Sequence, residues 1–288
     1  MKAKPFGSIM GALIVFFLAT FATAQSNDQS QSTAQGPSAD LIKSIRAVLY
    51  SIYSRDGAEL RKWIIADPES DAVLPKKPLS PLELSELKRE VEELEPHRVM
   101  PFLVDGELIN VSAGSQYPVG AKTIYVTSFH GALWAIPVIF TKSGWKVDIR
   151  FWIAAAKKNS EKEKPSDPEM IARQFLLYMM AKRPDKLSGL TASKIEPEKY
   201  TAANNLPPGD LDQLIELCFE MPLLRARSGE SYRMPSGEIV RAGDEKDTVI
   251  VVGLYGVIEL AFQLKYIGGK WKIVPQHYFE MLRALGAI

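Results

Sequence analysis

The sequence predicts an α+β protein made of two copies of one unit, each opening with helices and closing with a curved antiparallel sheet. Apolar residues recur at helical spacing at the start of both halves, as Leu41, Ile45, Val48, Leu49 and Ile52 and as Ile171, Phe175, Tyr178 and Met179. Runs of β-branched and aromatic residues follow in both halves. A polar stretch at residues 157–166 divides the folded part almost evenly.

Residues 1–24 have the order of a secretory signal. Lys2 and Lys4 precede an apolar run from Ile9 to Ala22, which ends in Ala22-Thr23-Ala24. As a helix the run rises only ~21 Å, short of a ~30 Å hydrocarbon core, so cleavage is expected rather than anchoring. Residues 25–39 form a polar leader with no large apolar residue before Asp40. The expected address is secreted or periplasmic, with no membrane attachment after cleavage.

The chain has 288 residues, 35 Lys and Arg against 34 Asp and Glu, and 46% hydrophobic residues. Loss of the signal removes two lysines and leaves a net charge near zero, which excludes recruitment of nucleic acid by bulk charge. The single cysteine, Cys218, sits in the apolar context Leu217-Cys218-Phe219 and reads as a buried core residue. One cysteine makes no internal disulfide, so stability rests on packed cores.

The first unit spans residues 40–156 and the second 167–288. In each, the opening helix meets a turn and a second short helix, Arg55-Asp56-Gly57 before Leu60 and Arg183-Pro184-Asp185 before Leu187. Asp167-Pro168-Glu169 is a helix start with proline in the first turn. Met100-Pro101 is echoed by Met221-Pro222, and Thr123–Gly131 matches Thr248–Gly256 at an offset of 125. Each half ends in a glycine-turn hairpin, Ser143-Gly144-Trp145-Lys146-Val147 and Gly268-Gly269-Lys270-Trp271-Lys272-Ile273.

A long helix, a second helix and strands ending in a Gly-Trp-Lys or Gly-Lys-Trp-Lys hairpin resemble the nuclear-transport-factor-2-like, or ketosteroid-isomerase-like, cone fold. The resemblance covers nearly all of residues 40–285 as two tandem units, and it implies a cavity at the open end of each cone. Members of that superfamily include isomerases, dehydratases, small-ligand binders and assembly modules, so the fold leaves function open. They often dimerise through sheet faces, which implies that the tandem units form an internal pseudo-dimer.

Strand alternation through residue 152 places Trp145, Val147, Ile149 and Phe151 on one face, with Lys146, Asp148 and Arg150 on the other. In the second unit Trp271 and His277 share a face, so His277 takes the place of Phe151. His130 and Tyr255, each before a glycine, are matched positions. Candidate ligand contacts are therefore His130, Tyr255, His277, Trp145 and Trp271, and His130 with Asp148 is the one candidate acid–base pair. Each has a structural alternative: a surface Asp148–Arg150 ion pair, a hydrogen-bonded His277 at a sheet end, His130 and Tyr255 as bend residues. The amphipathic helix around Leu84, Leu87, Val91 and Leu94 covers its own sheet.

The three histidines are scattered and no metal-ligand spacing, phosphate loop, dinucleotide fingerprint or nucleophile elbow occurs, so no cofactor and no metal are expected. The expected function is non-catalytic binding of a small apolar ligand or an envelope protein. The competing expectation is a cofactor-free isomerase- or dehydratase-like enzyme acting through the first unit.

Overall fold

A computed structural model of the chain describes residues 38–111, 115–158, 167–181, 183–194, 212, 215–216, 218–243, 245–255 and 258–278. The expected signal, the leader up to residue 37 and residues 159–166 of the linker lie outside the described residues. The fold is α+β, helices with antiparallel sheets. The chain divides into two compact units, residues 1–153 and 154–288.

In the first unit, α1 (Ala39–Ser54) starts where the Ser38 hydroxyl accepts the Leu41 backbone N–H at 3.3 Å, and it stops at Arg55, which adopts φ 61°. Its stripe Leu41, Ile45, Val48, Leu49 and Ile52 is buried, each such side chain contributing about 1.5–3 kcal/mol. A short α2 (Gly57–Trp63) is capped by Asp56. α3 (Pro81–Glu92) opens with a capping box, the Ser80 hydroxyl accepting the Glu83 N–H while the Glu83 carboxylate accepts the Ser80 N–H. It packs on α1 and buries Leu87 and Val91.

The sheet of this unit comprises β1 (Pro96–Val99), β2 (Leu103–Val104), β3 (Glu107–Leu108), β4 (Lys122–Phe129), β5 (Ala132–Thr141) and β6 (Gly144–Val147). Its order is β3-β2-β4-β5-β6, with β1 also paired to β4. The β4–β5 turn is His130-Gly131, with φ 51° and 72°, a two-residue turn whose twist suits the strands it joins. α1 is tied to the sheet by the Ser44 hydroxyl, which donates to the Trp145 carbonyl at 3.0 Å. The edge of β6 is closed by the chain leaving α2. Ile64 forms a parallel bridge to Val147, the Ile65 N–H donates to the Val147 carbonyl at 3.0 Å, and the Lys146 ammonium donates to the Lys62 carbonyl.

The second unit contains α5 (Pro168–Met180) and α6 (Pro184–Leu187), preceded by α4 (Arg150–Lys158), which crosses the division between units. Asp167 caps α5 by accepting the Glu169 N–H at 3.3 Å, with Pro168 in the first turn as the sequence predicts. The strands are β7 (Leu223–Arg225), β8 (Ser231–Arg233), β9 (Ile239–Arg241), β10 (Thr248–Tyr255), β11 (Ile258–Ile267) and β12 (Lys270–Ile273). They form a sheet of order β12-β11-β10-β7 and a separate β8–β9 hairpin. The edge closure recurs. Thr191 bridges Ile273, the Ala192 N–H donates to the Ile273 carbonyl at 2.7 Å, and the Lys272 ammonium donates to the Gly189 carbonyl.

A second recurring contact is an arginine on the opening helix. Arg46 on α1 donates from Nη2 to the Leu94 carbonyl at 3.0 Å, just past the end of α3. Arg173 on α5, 5% exposed, donates from Nη1 to the carbonyls of Cys218, Phe219 and Met221. Carbonyls at a helix end lack partners within the helix, and a guanidinium satisfies several at once.

Strand pairing corrects two sequence expectations. Tyr125 pairs with Ile136 and Val251 with Phe262, so the strands correspond at an offset of 126, not 125. A slip of one exchanges the two faces of a strand. On the corrected register Tyr255, paired with Ile258, stands where Phe129 pairs with Ala132, and His130 has no counterpart in Tyr255. Met100, whose N–H donates to Ile124, corresponds to Ala226 donating to Ile250, not to Met221. The last strands are also shorter than alternation implied. β6 ends at Val147 and β12 at Ile273, and the chain turns helical at Arg150 and at residue 276. Asp148, Arg150, Phe151 and His277 are thus not on strands.

Arg173→Ala is expected to destabilise the second unit by about 2–3 kcal/mol, since it strands buried carbonyls, whereas Arg46→Ala, with one carbonyl and a partly exposed side chain, costs about 1 kcal/mol. Urea unfolding of the two variants beside the wild-type chain measures the difference.

Candidate functional site

His130 owes its position to the turn and to α3. Its backbone N–H donates to Glu90 Oε1 at 2.6 Å and its Nδ1 lies 2.8 Å from Glu90 Oε2. The ring packs on Phe129 at 4.2 Å and edge-on to Tyr53 at 5.0 Å between centroids. Burial, and then the Glu90 carboxylate, push the Tyr53 hydroxyl above its usual range. One carboxylate thus holds both the backbone N–H and Nδ1 of His130, and the side chain is 41% exposed.

Asp148 accepts the Arg150 N–H and forms a forked pair with its guanidinium, Nε to Oδ1 at 2.8 Å and Nη2 to Oδ2 at 2.6 Å. Both side chains are about nine-tenths buried. The pair sits where the Asp148 N–H donates to the Pro137 carbonyl on β5. His130 lies beyond the other end of that strand, and the five residues from Pro137 back to Ala132 span about 17 Å. General acid–base work requires two groups within hydrogen-bond reach of one substrate atom. The structure does not bring His130 and Asp148 together.

His277 is 1% exposed. Its Nε2 lies 2.7 Å from Gln263 Oε1 on β11, and its Nδ1 lies 3.0 Å from the Ser236 hydroxyl and 3.6 Å from Glu238 Oε2, both in the β8–β9 turn. The Gln263 oxygen accepts from Nε2–H, which leaves Nδ1 to accept the Ser236 hydroxyl proton. Burial holds the ring below its usual pKa and outweighs the opposing pull of Glu238. The imidazole joins the hairpin to the sheet. Cys218 is fully buried, and burial pushes its thiol up to about 12 despite the nearby Arg173.

The two candidate tryptophans differ in their surroundings, Trp145 being buried and Trp271 half-buried. Trp145 pairs with Phe140 across β5–β6, and Trp271 pairs with Tyr266 across β11–β12. Trp145 is 2% exposed, enclosed by Phe140 at 5.2 Å, Tyr117 at 4.9 Å and Phe102 at 5.9 Å between centroids. Trp271 meets Tyr266 edge-on at 5.1 Å, and Tyr266 is 47% exposed. The Tyr255 side chain lies outside the described residues.

A shallow groove of about 320 Å³ on the first unit is lined by Arg61, Ile64, Ala66, Asp67 and Pro68, none of them a candidate residue. Among the described residues no group of three His, Cys, Asp or Glu side chains is placed to hold a metal ion, and no helix is long and apolar enough to cross a membrane. Comparison with known families, curated proteins and solved structures finds no match to this chain.

Sequence reading passed over Arg46, Arg173 and Tyr266. The arginines were visible as Ile45-Arg46 and Ala172-Arg173 within the two opening helices. Tyr266 carried no signal, because its exposure depends on what the rest of its unit leaves uncovered.

Asp148→Ala is expected to cost about 3 kcal/mol by removing the forked carboxylate from the buried Arg150 guanidinium. The second unit has Val274 and Gln276 at these positions, so the double variant Asp148→Val with Arg150→Gln recovers most of that loss; thermal unfolding of the three proteins checks it. The depressed His277 pKa has its own signature. The unfolded ring takes a proton near pH 6.5 and the folded ring only lower, so its contribution is full above that pH and declines as pH falls through it. Unfolding followed across this range shows the decline in wild type and a flatter profile in His277→Gln.

Proposed function

We propose that the protein is an exported, non-catalytic binding protein built of two tandem nuclear-transport-factor-2-like cones, recognising an apolar ligand or another envelope protein. The observation that carries the reading is the use made of its ionisable candidates. Asp148 is paired with Arg150, both ring nitrogens of His277 are engaged by Gln263 and Ser236, and Glu90 holds Nδ1 of His130 away from Asp148, so no two candidates converge on one substrate atom. Catalytic groups are poised towards a substrate, with a free lone pair or proton. Binding needs only apolar surface, which the second unit offers at Tyr266 and Trp271.

The tandem reading is supported by the matched edge closures on Val147 and Ile273, the matched arginines and the common strand offset. Phe102, Tyr117, Phe140 and Trp145 pack on one another in the first unit, which supports a scaffold role for that unit and a receptor role for the second. The export address rests on the signal-like residues 1–24.

Native and denaturing mass spectra of the mature chain from Gln25, purified from its own compartment without added ligand, test the reading. The expected result is a reproducible mass excess that denaturation releases. A bare chain under gentle conditions, with turnover of a substrate abolished by His130→Ala, overturns it.

A further inference from the structure

The two units present the same pair of positions at the same end of the sheet, and the first unit displays what fits there. Phe140 and Trp145 are covered by Phe102 and Tyr117, with Tyr117 5.9 Å from Phe140 and 4.9 Å from Phe102 between centroids. Both covering rings come from the connection between β1 and β4, whose described residues include the short strands β2 and β3. In the second unit the corresponding connection between β7 and β10 folds into the β8–β9 hairpin instead. That hairpin is held elsewhere, by Ser236 on His277, and its own aromatic residue, Tyr232, is buried with its hydroxyl on Glu230. Among the described residues the aromatic neighbour of Trp271 is Tyr266, and nearly half of Tyr266 faces solvent.

We propose that the Tyr266–Trp271 pair is a docking site for a segment of a partner polypeptide that presents aromatic side chains, seated as Phe102 and Tyr117 are seated on Phe140 and Trp145. The proposal rests on the binding reading above and names its partner class. Stacked and edge-on rings stabilise one another beyond the area they bury, and Tyr and Trp are the residues on which interfaces concentrate their energy. Charge adds direction. Lys270 is exposed at the tip of the same hairpin, while Lys265 is held by Glu245 at 3.2 Å. An acidic residue close to the aromatic ones therefore completes the fit, as Asp105 and Glu107 follow Phe102 in the first unit.

The probe is a fluorescein-labelled peptide of residues 100–119 of this chain, titrated into the mature two-unit protein. In the first unit that segment is already seated, so the added copy meets only the second. Saturable anisotropy is expected, weakened about tenfold or more by Tyr266→Ser, retained by Tyr266→Phe, and lost when the peptide carries alanine in place of both Phe102 and Tyr117. Tyr266 is half exposed, so the serine variant keeps its fold, and circular dichroism verifies this. Absence of saturable binding, or equal binding by Tyr266→Ser, overturns the proposal. So does self-association of the protein abolished by Tyr266→Ser, which makes a second copy the occupant, and so does a small-molecule mass excess lost in that variant. A mass excess that persists in Tyr266→Ser while the peptide fails to bind overturns the docking site and leaves the binding reading standing. Failure of both removes both.

Discussion

The last strand of an open sheet leaves a row of backbone groups with nothing to pair with, and each unit closes that edge with the chain emerging from its second helix. The parallel bridges of Ile64 on Val147 and Thr191 on Ile273 fix where α2 and α6 end. The lysine one residue before each bridged strand position donates to the carbonyl of the chain it meets, Lys62 or Gly189. An open edge invites pairing with foreign chains. Here closure also holds the opening helix against the sheet, because α1 meets β6 through Ser44 and Trp145. The arginines then tie that helix to the next helical segment through Leu94 or through Cys218, Phe219 and Met221. Helices, sheet and connection are thereby positioned from one edge.

On this scaffold the surroundings of equivalent positions diverge. At one pair of positions the first unit has Asp148 and Arg150 where the second has Val274 and Gln276. At another, buried Phe151 is matched by buried His277, and the second unit supplies Gln263 and Ser236 to satisfy the ring. The Phe151–His277 exchange swaps an apolar for a hydrogen-bonded solution to the same burial, and at the other pair a buried valine with an exposed glutamine replaces a buried ion pair, since an unpartnered buried polar group costs more than either. Polar residues near the ends of the sheets were attractive as chemistry in the sequence. The structure spends them on packing.

Much of the architecture was legible because it is written in periodicity. The stripes of α1 and α5 and the strand pairs follow from spacing and residue type. Two things were not. The offset of the first strand pair was misjudged because β-branched runs such as Ile124-Tyr125-Val126 and Val249-Ile250-Val251-Val252 look alike when shifted by one, and only hydrogen bonding fixes register. The strands past Trp145 and Trp271 were carried too far because Val147 to Phe151 alternates apolar and polar residues as a strand does, although Asp148 serves as the cap that starts a helix. At the candidate site, residue identities were readable but exposure was not. Trp145 and Trp271 sit in similar local sequence, and their difference arises from Phe102 and Tyr117, distant in the chain.

The buried sulfur of Cys218 bears on the life of the chain before it is folded. In an oxidising compartment a lone thiol has no partner within its own molecule, and exchange needs the thiolate and access to it. The folded protein denies both, since the side chain is enclosed and its ionisation is pushed up to about 12. Only an unfolded or opened second unit presents a competent sulfur, and two such chains then become covalently joined. The redox state of this one residue thus keeps a chemical record of folding failure: native molecules stay single however long they are exposed to oxidant, and a disulfide-linked pair marks molecules whose second core had opened.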